Sequence, residues 1–145
     1  MTIRAEGLGY VFNVVPAASG LTIPMKDCGA VSFVTYEDDG STILTLTELD
    51  STGTNSEQAL AAIARVHKGP GTGGTWTKVT QTAASTYDLS DDTTNDAVVY
   101  TVLASQLSAG YDSVQMTVDG GICVAIMHDL LVMRDGGNLA TNIVA

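Results

Sequence analysis

Val114-Gln-Met-Thr-Val-Asp-Gly-Gly-Ile-Cys-Val-Ala-Ile-Met127 is the stretch that decides the fold. In its first half Val114, Met116 and Val118 fall on one side, and Gln115, Thr117 and Asp119 on the other. A period of two is the signature of a strand with one buried face. Asp119-Gly120-Gly121 then supplies turn residues that tolerate unusual backbone angles. The second half, Ile122 to Met127, is apolar on both faces, which predicts a central strand covered on both sides. Val114, Met116, Val118, Val124 and Ile126 are therefore expected in the core.

The same period recurs on either side. Tyr10, Phe12 and Val14 alternate with Asn13, and Pro16 stops the run. Val31, Phe33 and Thr35 form a further stretch, closed by Glu37-Asp-Asp-Gly40 and followed by Thr42-Ile-Leu-Thr-Leu-Thr-Glu48. Two β-rich runs flanking an Asp-Gly turn predict a hairpin. Trp76–Thr80 and Val98–Leu103 predict two more strands. Ser56-Glu-Gln-Ala-Leu-Ala-Ala-Ile63 holds good helix formers after a capping serine. The frame of surrounding strands favours a loop or short turn leading into a strand there. Gly69-Pro-Gly-Thr-Gly-Gly74 is expected to be a flexible hairpin loop, and Ala104–Leu107 one helical turn. Turn signals at intervals of about 8–12 residues predict an all-β fold, an antiparallel β-sandwich of jelly-roll or immunoglobulin-like type. Residues 1–135 are expected to form that single domain, and residues 136–145 an extended C-terminal arm.

Composition narrows the function. The 145 residues carry 16 acidic and 6 basic side chains, a net charge of −10. Nucleic acid and anionic membranes both need a basic face, so neither is expected as a partner. Only 15% of residues are charged against 45% hydrophobic. Two explanations stand side by side: part of the surface is covered by another molecule, or it is solvated by threonine and serine hydroxyls. The apolar run from Ile122 to Met133 is too short for a membrane span of about 20 residues. Nothing at Met1–Gly7 reads as a signal peptide, so cytoplasmic synthesis as a soluble protein is expected. Cys28 and Cys123 could pair in an oxidising compartment, but two buried thiols acting as small apolar side chains is the preferred reading.

Few residues carry chemistry. His128-Asp129 has the residue types of a base and its orienting acid. Neighbours on a strand point to opposite faces, so the two are not expected to meet. His67 stands alone. Gly69–Gly74 lacks the Lys-Ser/Thr ending of a phosphate loop, and the cysteine spacing is not that of a zinc site. The acidic runs Glu37–Asp39 and Asp88–Asp96 lack the ligand spacing of a calcium loop. No catalytic, metal or cofactor site is therefore expected. Trp76, the only tryptophan, follows the flexible loop. It suits an interface, a core position, or stacking on a sugar ring with Tyr36 or Tyr111 beside it.

The order of several segments resembles a known family. Phe12-Asn-Val-Val-Pro16 is followed by Thr45-Leu-Thr-Glu-Leu-Asp50 and Ser51-Thr-Gly-Thr-Asn-Ser-Glu-Gln-Ala-Leu60. Then come Gly73-Gly-Thr-Trp-Thr77, Gly110-Tyr-Asp-Ser-Val114, Ala125-Ile-Met-His-Asp-Leu130, Arg134 and Asn138-Leu139. This looks like a family of small virion structural proteins of tailed bacteriophages, encoded among the head genes, and the likeness covers most of the sequence. The resemblance implies a virion protein on the capsid exterior: a decoration, cement or minor capsid protein, without enzymatic activity. Its implied partners are the major capsid protein or other virion proteins, with self-association into a homo-oligomer. A tail or connector component, or a carbohydrate- or receptor-binding module, are the alternatives.

The last residues are Asn138-Leu-Ala-Thr-Asn-Ile-Val-Ala145. Exposed apolar ends attract aggregation, so Leu139, Ile143 and Val144 are expected to bury against a neighbouring subunit, as an added strand or as groove anchors. With Trp76 they are the candidate partner-binding residues.

Overall fold

Threonine, valine and isoleucine at alternate positions write short strands, and a computed structural model describes them for residues 8–9, 12–17, 20–37, 42–90 and 92–132. In sequence order they are β1 (Phe12–Pro16), β2 (Thr22–Pro24), β3 (Cys28–Tyr36), β4 (Ile43–Leu49), β5 (Gln58–Ala59) and β6 (Ile63–Gly69). There follow β7 (Thr77–Ala84), β8 (Thr86–Asp88), β9 (Ala97–Leu103), a single 3-10 turn (Ala104–Gln106), β10 (Ser113–Val118) and β11 (Ile122–Leu130). The residues 136–145 expected to form an arm lie outside the described residues.

All strand pairings are antiparallel and build two sheets. One has the order β1-β11-β3-β9-β6-β7; the other has β2-β10-β4-β5, with β8 also paired to β4. The first strand thus lies against the last, β2 against β10, β3 against β9 and β4 against β8. The polypeptide is one long ribbon, folded at the β5–β7 end and rolled so that its successive pairs alternate between sheets. That winding is a jelly roll, which settles the expected sandwich between its two types. The β6–β7 hairpin extends the six-stranded sheet beyond β9.

The core lies between the sheets. Val31, Phe33, Val66, Val98 and Val102 from one sheet meet Ile23, Leu46, Val114 and Met116 from the other, all with almost no exposed surface. Burying each such residue contributes about 1.5–3 kcal/mol. Glu48 is buried in the same layer of the five-stranded sheet. Gln58 Nε2 donates to its Oε1 at 2.6 Å, and the Ser108 backbone N–H donates to its Oε2 at 2.8 Å. Burial raises the Glu48 pKa, but the Ser108 and Gln58 bonds outweigh it and leave the carboxyl below its ordinary value.

Val114, Met116 and Val118 are core residues, as the alternation predicts. Val124 and Ile126 are not. They are half-buried on the outward face of β11, while Cys123, Ala125 and Met127 point inward. A two-layer sandwich covers only one face of each sheet, so among the described residues no layer lies over the second apolar face of β11. The same reversal occurs in β1, where Asn13 and Val15 are buried and Phe12 and Val14 face out. Asn13 Nδ2 donates to Met127 Sδ at 3.8 Å beneath the sheet. The hairpin expected around Glu37–Gly40 is also corrected. β3 and β4 belong to different sheets, and the connection between them crosses from one to the other. Cys28 and Cys123 sit opposite Leu130 and Thr35 on the β3–β11 ladder. At about 3.3 Å per residue they are about 23 Å apart, far beyond disulfide reach. Burial pushes the Cys28 thiol up to about 11 and Cys123 up to about 12, the state of inert apolar thiols.

Candidate functional site

The two outer faces of the sandwich differ in chemistry. On the five-stranded sheet the outward positions include Thr22, Thr45, Thr47, Gln115, Thr117 and Thr86, a face mostly of hydroxyls and amides, with Ile43 and Leu49 at the two ends of β4. On the six-stranded sheet the registers align outward side chains in rows across the strands. One row runs Pro16, Val124, Val34, Val99, His67, Lys78; the next runs Val14, Ile126, Ser32, Thr101. Ile122 lies across from Tyr36, and Phe12 across from His128. The β1-β11-β3 half of this face is apolar, and the β6–β7 half is basic.

The apolar half is open to solvent. Ile122 is 66% exposed, Val14 41% and Phe12 37%. Leu131 and Val132, just past β11, are also exposed, with the Leu131 N–H donating to Asp27 O at 2.9 Å. Large apolar side chains gathered on one sheet face mark interaction surfaces more often than scattered ones do. Trp76 belongs to the same side. It is 49% exposed and lies over Gly69, where a Cβ would stand 3.0 Å from the indole. Tyr36 packs against Gly71, two residues further along the same loop. Of the aromatic companions considered for Trp76, Tyr36 thus shares its loop, while Tyr111 donates its hydroxyl to Ser56 O at 2.9 Å on the other sheet's side. Leu139, Ile143 and Val144 lie outside the described residues.

His128 and Asp129 do meet, contrary to the alternation argument. Asp129 has a left-handed backbone, φ 53°, which breaks the strand's alternation and brings Oδ2 to 3.7 Å from His128 Nδ1. His128 Nε2 shares a 2.9 Å hydrogen bond with Ser32 Oγ, which shares another of 2.8 Å with Thr101 Oγ1. Sequence reasoning missed Ser32, which is distant in sequence and unmarked by any motif. The group has a serine, a histidine and a carboxylate in order, but 3.7 Å is too long for an orienting hydrogen bond. Ser32 sits mid-strand between two complete ladders whose backbone N–H groups are engaged in pairing. The contacts tie β3, β9 and β11 together across the outer face.

The acidic loops are occupied by groups of the same molecule. Asp92 pairs with Lys68 and accepts from Thr94 N, Asn95 N and Asn95 Nδ2. The Lys68 bond, with the asparagine and backbone donors, holds its carboxyl down at about 2. Asp50 accepts from Thr52 and Asn55, and Asp112 from Ser51 and Ser113. Among the described residues no group of three or more His, Cys, Asp or Glu side chains is placed to hold a metal ion.

Comparisons with protein-family models, with curated proteins and with solved structures return no match. The class that fold and surface define is an all-β jelly-roll sandwich with one apolar, outward sheet face.

Proposed function

We propose that this protein is a non-enzymatic structural component of a tailed-bacteriophage virion, bound to the capsid exterior as a decoration, cement or minor capsid protein. The observation that carries the reading is the contrast between the outer faces: hydroxyls on one sheet, and Phe12, Val14, Ile122, Val124 and Ile126 on the other. The apolar face is the docking face, and the threonine face is the one left to water. Both explanations for the charge-poor composition then apply, one to each sheet. The jelly roll is a winding used by viral capsid and lectin domains, an analogy of fold that agrees with this reading. The net charge of −10 suits a position away from packaged DNA. The proposed partners are the major capsid protein, or other virion proteins, and further copies of this protein. A tail or connector site would use the same face.

The test is co-sedimentation with capsids built from the major capsid protein. The double variant Val14→Thr/Ile122→Thr removes outward apolar groups and leaves the core intact. It is expected to keep its melting temperature and to lose most of its occupancy on particles. Each of the two residues contributes about 1.5–3 kcal/mol of burial, less the ordering cost of docking. Full occupancy by the variant would sink the docking face.

One observation favours a second reading. Trp76 and Tyr36 flank the same glycine loop, as a sugar-stacking platform requires. A carbohydrate- or receptor-binding module would bind glycans through Trp76 and lose that binding in Trp76→Ala. A glycan array with wild type and variant separates the two readings.

A further inference from the structure

We propose that the recess between β6 and β9 receives a carboxylate presented by the docking partner. The site forms because the two strands part company. β6 pairs with β9 only at His67↔Val99, Lys68↔Val98 and Gly69↔Ala97, and a register shift follows between Ile63 and Arg65 on the β7 side. Beyond that point the outer face opens into a hollow of about 390 Å³. Ala64, Val99 and Leu103 give it apolar walls, and Arg65, His67, Thr101 and Gln106 line its polar part. The Gln106 Oε1 accepts the Leu103 backbone N–H at 2.8 Å, and the side chain also interacts with the Tyr100 hydroxyl, so Gln106 is held at the rim of the hollow. None of the lining side chains is acidic.

This is unusual for a protein of net charge −10. Among the described residues the ion pairs are Lys68–Asp92 and His128–Asp129, so Arg65 has no carboxylate partner there. Lys78, opposite His67 on β7, adds a further positive charge to the same face. The unpaired Arg65 fork matches the two oxygens of a carboxylate, and the apolar walls match an aliphatic stem. A phosphate would instead call for several charged or backbone donors converging on one point. The ligand class is thus an aliphatic carboxylate, such as the C-terminus of a polypeptide or an acidic side group. The proposal rests on the docking reading for its use in assembly, but the binding can be measured on the isolated protein.

The experiment titrates the ¹⁵N-labelled full-length protein with N-acetyl-leucine at constant ionic strength, followed by amide shifts. N-acetyl-leucinamide and inorganic phosphate are the parallel probes. Saturable shifts are expected at Arg65, His67 and Thr101 and in the Gln106 side-group amide, with the neutral amide at least about tenfold weaker. Arg65→Gln should weaken binding about tenfold or more, and Arg65→Lys by less, both with unchanged melting temperature. Absence of saturable shifts up to about 50 mM overturns the proposal, as does equal binding of the amide or tighter binding of phosphate. Failure here with lost capsid occupancy in Val14→Thr/Ile122→Thr would remove the carboxylate site and keep the docking face. The reverse pattern would keep the site and remove the docking reading.

Discussion

Leu46 and Ile126 are both aliphatic residues of an alternating strand, and they have opposite fates. Leu46 is fully buried between the sheets, whereas Ile126 is half-buried on the outer face. Leu46→Ala should cost about 2–5 kcal/mol in urea unfolding, because it removes transfer energy and leaves a cavity. Ile126→Thr should cost less than about 1 kcal/mol in the isolated protein. Equal losses would mean that the outer face is a second core. The sequence marks Val114, Met116 and Val118 because glutamine and threonine stand between them. It leaves Val124 and Ile126 unmarked because no polar neighbour shows which face is inward. A second residue-scale effect is pH-dependent. Asp92 has its carboxyl held at about 2 by Lys68, with Asn95 and Thr94 assisting, against an unfolded value of about 3.9. Its contribution is fully present above about pH 4 and is lost as pH falls through about 2. Melting temperature measured from pH 5 to pH 2 should fall less steeply for Asp92→Asn than for wild type. An identical slope would show that the Lys68 pair adds nothing to stability in acid.

At the scale of elements, turn chemistry was legible and turn destination was not. Glu37-Asp-Asp-Gly40 and Asp119-Gly-Gly121 both announce a reversal of direction. Neither says whether the next strand returns to the same sheet, because the same residues serve a hairpin and a crossing between layers. β3 and β4, like β10 and β11, fall in different sheets. The hairpin that was legible, β6–β7, has a glycine-rich loop between two alternating runs in one sheet. The crossing after β10 depends on one residue. Gly121 has φ 78°, and a Cβ there would stand 2.2 Å from the Tyr36 carbonyl oxygen, which is backbone and cannot swing away. Gly53 has a similar φ of 71° with nothing within 4 Å of its Cβ position. Gly53→Ala should cost only the left-handed strain of about 1–2 kcal/mol. Gly121→Ala should cost clearly more, since it adds a backbone clash to that strain. Thermal unfolding of the two variants compares them directly. Equal losses would show that the β10–β11 crossing relaxes freely.

For the whole molecule, the winding places β1 and β11 side by side, and this juxtaposition builds the candidate docking face from opposite ends of the sequence. No local pattern reports such a pairing, since Phe12 and His128 are separated by most of the sequence. The candidate site was therefore legible only in its ingredients: an apolar β11, an isolated Trp76 and a surface poor in charge. β11 ends at Leu130, at the margin of this sheet. Leu131 and Val132 are already exposed beside it, and Leu139, Ile143 and Val144 follow in the sequence. If these three residues bury against a neighbouring subunit, the isolated protein gains nothing from them. A variant lacking residues 136–145 should then melt at the wild-type temperature and fail to occupy particles. If they bury on their own sandwich, deletion removes at least about 4 kcal/mol of apolar burial, equivalent to a fall of about 10 °C in Tm. Calorimetry of the truncated protein and its co-sedimentation with capsids distinguish the two cases. A large fall in Tm with particle binding retained would assign the segment to its own domain and end its proposed role as an arm.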